Sequence, residues 1–219
     1  MDFDNTLKII AVGNGTVGKT SLAQRFCNGH FTADYKKTLA VDFIEKTQYV
    51  ESLDKEIVFS VYDTAGQEEY DSLTSQYYRG AQGALVVFAT DNRASFDNVV
   101  SWVSKIHSHC DESLPIALVQ NKIDLVDSSV VTEEEAMQKA EELGVSLFRT
   151  SALDNANVTD VFEYLALRYY ALLEENGEEE DDYEDFTKET DDATKVNQII
   201  ALEHQQQRSS KKWYQCSIL

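Results

Sequence analysis

At 219 residues, 42% hydrophobic and 26% charged, the chain has material for one domain with a substantial core and a short appendage. Its formal charge of −20 argues against a basic surface, so nucleic acid is not expected as a partner. The longest apolar run, residues 84–89, is far short of the ~18 residues of a membrane span; with no secretory pattern and with Asp2 where myristoylation needs glycine, a cytosolic protein is expected.

In chain order, an apolar run over residues 7–12 reads as a strand. Gly13-Asn14-Gly15-Thr16-Val17-Gly18-Lys19-Thr20 follows, then a helix-like Ser21-Leu22-Ala23-Gln24-Arg25-Phe26. Strand, Gly-rich turn and helix in that order form the setting of a phosphate-binding loop, the alternative being a chance βα turn. The glycines let consecutive backbone N–H groups turn inward as a nest for phosphate oxygens. The helix behind adds its unpaired N–H groups and the positive end of its dipole. Lys19 offers a cation for the outer phosphates, and the Thr20 hydroxyl suits a Mg²⁺ ligand.

A polar connection over residues 28–42 holds Phe31, Tyr35 and Thr38. Residues 41–50 and 56–62 read as a hairpin around a turn at 51–54, so the first of them runs antiparallel to the rest of the sheet. Residues 84–89 and 116–120 are short apolar runs, read as strands buried on both faces. Helices are predicted at 95–107, 133–143 and 158–173, with Thr132 and Glu135 as a capping box before the second. A last short strand fits at 146–149. The pattern predicts an α/β fold: a doubly wound, mostly parallel six-stranded sheet with one antiparallel strand and ligand sites at the strands' carboxyl ends. Cys27 and Cys110 read as inert thiols, and His107 and His109, two apart on a helix, point to different faces.

Three more strand ends carry complementary chemistry. After Tyr62 comes Asp63-Thr64-Ala65-Gly66-Gln67-Glu68. A carboxylate there is placed to anchor Mg²⁺ through water, Gly66 lets its N–H approach a terminal phosphate, and Gln67 can hold an attacking water in line. After Gln120 comes Asn121-Lys122-Ile123-Asp124. The Asp124 carboxylate can accept from the N1–H and N2 amino group of guanine, whereas adenine would leave it facing a lone pair; such pairing rejects the wrong base by ~10⁴ or more. Asn121 can brace the neighbouring loops, and the Lys122 stem can lie along the base. In Thr150-Ser151-Ala152 a small residue would let a backbone N–H reach guanine O6.

These five stretches, Gly13 to Thr20, Thr38, Asp63 to Gln67, Asn121 to Asp124 and Ser151-Ala152, resemble in order and spacing the motifs of Ras-like small GTPases, over roughly residues 6–173. The resemblance implies a P-loop G domain that cycles between GTP and GDP with Mg²⁺ and hydrolyses GTP slowly without an activating protein. It implies nucleotide contacts from Gly15, Thr16, Val17, Gly18, Lys19, Thr20, Ser21, Phe31, Tyr35, Thr38, Gly66, Asn121, Lys122, Asp124, Ser151 and Ala152. Thr20, Thr38 and Asp63 would hold the metal; Gln67, Lys19, Thr38 and Gly66 would serve catalysis.

Leu39-Ala40-Val41-Asp42-Phe43 and Tyr77-Tyr78-Arg79-Gly80-Ala81 are similar to the Rab branch. Gly13-Asn14-Gly15, Asp34-Tyr35-Lys36-Lys37-Thr38, Gln67-Glu68-Glu69-Tyr70-Asp71 and Val119 to Asp124 are closest to the Rab subgroup linked to cilia and Hedgehog signalling. Exchange factors, an activating protein, effectors at residues 32–43 and 64–78, and prenylation and GDP-dissociation-inhibitor machinery are the implied partners of a monomer. The chain departs from most Rabs at Ala40, where they have glycine, and at Tyr62, where they have tryptophan. Phe43, Tyr62 and Tyr77 match the aromatic trio that meets effectors.

The G domain is expected to span residues 1–173. Residues 174–219 carry 5 Lys+Arg against 13 Asp+Glu, a net −8, and read as a disordered acidic tail, in which Val196, Ile199, Ile200 and Leu202 are either a helical turn or two or isolated apolar residues of a linker. The chain closes on Cys216-Ser217-Ile218-Leu219, a C-a-a-X ending whose leucine favours geranylgeranylation. One lipid generally needs a second signal, and Arg208, Lys211 and Lys212 are a thin one. The expectation is a G domain cycling between cytosol and the cytosolic face of a plasma, endosomal or ciliary membrane. A nucleotide-stabilised scaffold with little hydrolysis is the alternative; a P-loop kinase would need an acceptor site or lid that the sequence lacks.

Overall fold

A computed structural model of the protein describes residues 5–32, 38, 41–64, 77–111 and 113–177. Six strands, β1 (Thr6–Val12), β2 (Val41–Val50), β3 (Lys55–Thr64), β4 (Gly83–Ala89), β5 (Ile116–Asn121) and β6 (Ser146–Arg149), form one sheet in the order β2-β3-β1-β4-β5-β6. All neighbours are parallel except β2 and β3, which pair antiparallel from Val41↔Thr64 to Val50↔Lys55. This is the predicted α/β sheet, with its one antiparallel strand in the predicted place. No helix among the described residues is long and apolar enough to cross a membrane.

Alternation along the strands sorts side chains onto two helical layers. Leu7, Ile9 and Ala11 of β1 enter one core with Leu22 and Phe26 of α1 (Lys19–Asn28) and Phe162 and Leu165 of α5 (Val158–Gly177). Ile10 and Val12 enter the other, with Phe96 of α2 (Arg93–Asp97), Trp102 and Ile106 of α3 (Val99–His109) and Ala136 of α4 (Glu133–Leu143). β4 and β5 are buried at every position, as strands covered on both faces must be. Phe26 and Phe162 stack at 3.9 Å between centroids, closing α1 onto α5.

Beyond shifts of one or two residues at element ends, three differences from the sequence reading matter. The helix expected at 95–107 is two: Asn92 caps α2 through its side chain, and Asn98, at φ −82° and ψ −4°, ends α2 and starts α3. β3 continues past Tyr62 through Asp63 and Thr64, because β2 pairs with it to Val41. Finally, α5 runs to Gly177, about one turn into the stretch expected to be disordered, since glutamate is a good helix former whatever its charge. The capping box is present: the Thr132 side chain accepts from the Glu135 N–H, and Glu135 accepts from the Thr132 N–H.

Candidate functional site

β3 and β1 end side by side, β5 lies one strand further along beyond β4, and the loops beyond these ends converge. Of the six residues between β1 and α1, Gly13 (φ 139°), Thr16 (64°) and Gly18 (95°) lie in the left-handed half of backbone space. A Cβ on Gly13 would stand 2.1 Å from the Val87 carbonyl oxygen, and one on Gly18 would stand 2.4 Å from Asn121 Nδ2. Both conformation and space therefore demand glycine. Gly18 is the N-cap of α1 and no side chain caps it, which leaves the first turn's N–H groups for an anion. The Val17 side chain is buried in the core, while half-buried Ser21 sits in the first turn of α1.

Lys19 extends back over this loop, its Nζ donating to the carbonyls of Gly13 and Asn14 at 2.8 Å each. Burial pushes its ammonium down to about 8, a shift that Asp63 nearby opposes. Phosphate oxygens would supply the negative charge that two carbonyls do not.

At the end of β3, three side-chain oxygens share one corner. Thr20 Oγ1 donates to Asp63 Oδ2 at 2.5 Å, Thr38 Oγ1 donates to the same oxygen at 3.2 Å, and the two hydroxyls are 3.0 Å apart. Asp63 is fully buried, and its Oδ1 is the one buried side-chain oxygen among the described residues with no partner. Desolvation raises its carboxyl above the ordinary carboxylate range, against the bonds from Thr20 and Thr38 and the charge of Lys19. An all-oxygen set with an orphaned carboxylate oxygen fits a small hard cation, so these residues suit Mg²⁺. The predicted Thr20, Thr38 and Asp63 are thus brought together.

The base end is built from β5 and the loop after β6. Asn121 Nδ2 donates to Val17 O at 2.9 Å and its Oδ1 accepts from Thr150 Oγ1 at 3.2 Å, so one side chain ties the phosphate loop to the 150s loop. Asp124 Oδ1 accepts from Ser151 Oγ at 2.6 Å, and Ser151 Oγ in turn accepts from the Asp154 N–H at 3.0 Å. Lys122 adopts φ 62°, and its Nζ lies 3.3 Å from Asp91. Ala152 is buried and Phe31, just past the end of α1, is half-buried. Tyr35, Gly66 and Gln67 lie outside the described residues, as do Cys216 and the tail beyond 177. Phe43, Tyr62 and Tyr77 do come together, with centroids 5.0 and 6.2 Å apart in sequence, and Lys8 Nζ sits 4.7 Å from the Tyr62 ring.

Several supporting side chains escaped the sequence reading. Trp102 Nε1 donates to Asn14 Oδ1 at 2.8 Å across 88 positions, and nothing local signals it. Arg25 reaches from α1 to the carbonyls of Ala152 and Leu153. Gln120 did carry a signal, as the polar residue closing an apolar strand. Buried, it donates to Thr90 Oγ1 and Val131 O and accepts from Arg149 Nε, which fixes the strand end that presents Asn121.

A family model described as the Ras family matches residues 8–171. Curated relatives agree in extent. Ras-related protein RGP2 of Oryza sativa subsp. japonica is 38% identical over 172 residues, 78% of each chain. Ras-related protein Rab-3 of Caenorhabditis elegans is 39% identical over 164 residues, 75% of this chain and 74% of its own. GTP-binding protein ypt3 of Schizosaccharomyces pombe is 37% identical over 172 residues, 78% of this chain and 79% of its own.

Proposed function

The chain belongs to the Ras family of small GTPases, with Rab proteins among its relatives, and from that premise we propose how its residues bind GTP or GDP with Mg²⁺ and hydrolyse GTP. The observation that carries the reading is the corner where Thr20 and Thr38 both donate to Asp63 Oδ2 and leave Oδ1 of the same carboxylate without a partner, beside a glycine-shaped loop. Gly15, Thr16, Val17, Gly18 and Ser21 offer backbone and hydroxyl donors to the phosphates. Asp124 reads the guanine N1–H and N2, Ala152 offers its N–H to O6, the Lys122 stem and Phe31 flank the base, and Tyr35 covers the phosphates.

Hydrolysis rests on positioning and charge, without a covalent intermediate. Gln67 holds a water in line with the γ-phosphorus. The water oxygen bonds to phosphorus as the bond to the GDP oxygen breaks, and the water's proton leaves with the phosphate. Lys19 stays tethered to Gly13 and Asn14 while donating to the outer phosphates, so little reorganisation is needed as charge moves toward GDP. Thr20 and Thr38 would hold Mg²⁺ with Asp63 as its anchor, and the ion would supply neutralisation of phosphate charge. Loss of the γ-phosphate frees Thr38 and Gly66, and residues 32–43 and 64–78 relax; that is the switch. No arginine of the motifs serves as an internal finger, so turnover is slow until an activating protein raises it by about 10³–10⁵. Gln67→Leu is expected to slow single-turnover hydrolysis about 10²-fold while GTP affinity holds; an unchanged rate removes Gln67 from the mechanism.

In the GTP state the switch recruits effectors through Phe43, Tyr62 and Tyr77, and exchange factors restart the cycle. Control of vesicle traffic follows from the Rab likeness, and a ciliary role from the narrower segment likeness alone. The G domain of residues 1–173 is then held off the membrane by an acidic spacer, reaching about 35–40 Å as a flexible coil, that ends in geranylgeranylated Cys216. Prenylation and GDP-dissociation-inhibitor machinery would handle that lipid. Cys216→Ser should move the protein to the soluble fraction of cell lysates; unchanged membrane recovery rejects the anchor.

A further inference from the structure

Arg25 lies in the last turn of α1, at the end away from Gly18, yet its guanidinium spends three N–H groups on backbone carbonyls around the site. Nε donates to Ala152 O at 2.7 Å, one Nη to Leu153 O at 2.7 Å, and the other Nη to Gly29 O at 3.0 Å. Gly29 is the left-handed cap of α1, from which the chain departs toward Phe31 and Thr38. A planar fork with fixed donor directions orients peptide planes in a way that a point charge does not.

The 151–156 loop is anchored from the other side as well. Ser151 N–H donates to Ala156 O at 3.2 Å and Ala156 N–H to Ser151 O at 3.0 Å. Because a trans peptide points its C=O and N–H in opposite directions, the Ser151 bond turns the Ala152 N–H away from that bridge. Among the described residues this N–H meets no acceptor. Arg25 holds the next peptide through the Ala152 carbonyl, so the two anchors lie on either side of Ala152 and set both of its backbone torsions. Asp124 is held separately, through Ser151 Oγ.

We infer that Arg25 is a positioning residue for guanine selectivity, aiming the Ala152 N–H at the O6 edge of the base. The inference rests on the reading that Ala152 meets O6. Dissociation of GDP, 6-thio-GDP (sulfur replacing O6) and IDP (no N2 amino group) is to be timed from full-length protein, wild type, Arg25→Lys and Arg25→Met. The lysine keeps charge without the fork, and the methionine keeps the apolar stem and packing. Wild type is expected to release 6-thio-GDP and IDP faster than GDP. Both variants should release GDP about tenfold faster, with the GDP to 6-thio-GDP ratio falling toward one and the GDP to IDP ratio unchanged. A uniform acceleration that leaves both ratios as in wild type reduces Arg25 to a structural clamp and overturns the inference alone. A wild type that releases GDP and 6-thio-GDP alike overturns the Ala152 reading, and the inference with it.

Discussion

At the base end, Asn121, Thr150, Ser151 and Asp124 are tied to one another, to Val17 and to Asp154 by bonds of 2.6–3.2 Å. At the phosphate end, Thr20 and Thr38 both bond one oxygen of Asp63, the other oxygen bonds nothing described, and Lys19 rests on two carbonyls. The first region is braced by protein bonds alone, with the Ala152 N–H left over for the base, and those bonds stabilise the loops with or without nucleotide. The second carries a buried carboxylate and a buried ammonium whose natural partners are a cation and an anion. A nucleotide site that must hold one base while sensing one phosphate is well served by that division: the rigid half selects, and the half short of partners changes with what is bound.

The largest expected effect breaks the rigid half. Asp124→Asn replaces a double acceptor by a group that meets N1–H or N2 with a donor, and GDP affinity should fall roughly 10²–10⁴-fold in equilibrium titration. A loss under tenfold would mean that the base is read elsewhere. In the phosphate half the sign reverses for stability. Asp63→Asn neutralises a buried, half-paired carboxylate, so the nucleotide-free, metal-free protein should be more stable by about 1 kcal/mol in denaturant melts at neutral pH, while slowing of GDP release by Mg²⁺ disappears. A less stable variant would show that the bonds from Thr20 and Thr38 outweigh the desolvation.

The smallest effect sharpens the same point with pH. The folded Asp63 carboxyl titrates above its unfolded value because of burial. Between the two values the folded chain binds more protons than the unfolded one, so stability falls as pH rises through that window. The advantage of Asp63→Asn is therefore full above the raised value and should fade as pH drops toward the ordinary carboxylate range. An advantage that stays constant through acid pH would remove ionisation as its cause.

Much of the site was legible because its demands are local. Gly13 and Gly18 are needed where φ is positive and a neighbour leaves no room for Cβ, and such positions announce themselves as glycine. Asp63, Asn121 and Ser151 follow strand ends that apolar runs reveal, so order along the chain maps onto one edge of the sheet. The differences have local reasons as well: acidity at Glu174 and Glu175 suggests disorder although glutamate extends a helix, and nothing in the composition separates the short Asn92-capped helix α2 from the helix after it.

The sequence by itself determined the order in which the chemistry follows the strand ends, including the carboxylate proposed to read guanine and the oxygens proposed to hold Mg²⁺, because residue type and spacing suffice for groups that each strand end delivers. Only the tertiary structure decided how those groups are held. Arg25 to Ala152 spans 127 positions, Trp102 to Asn14 spans 88 and Asn121 to Val17 spans 104. Such bonds exist because parallel strands bring distant loops to one rim, and no periodicity within a window of the chain encodes which donor will find which carbonyl there. Whether Asp63 would be paired or left waiting was likewise decided in three dimensions, by the depth at which β3 buries its end.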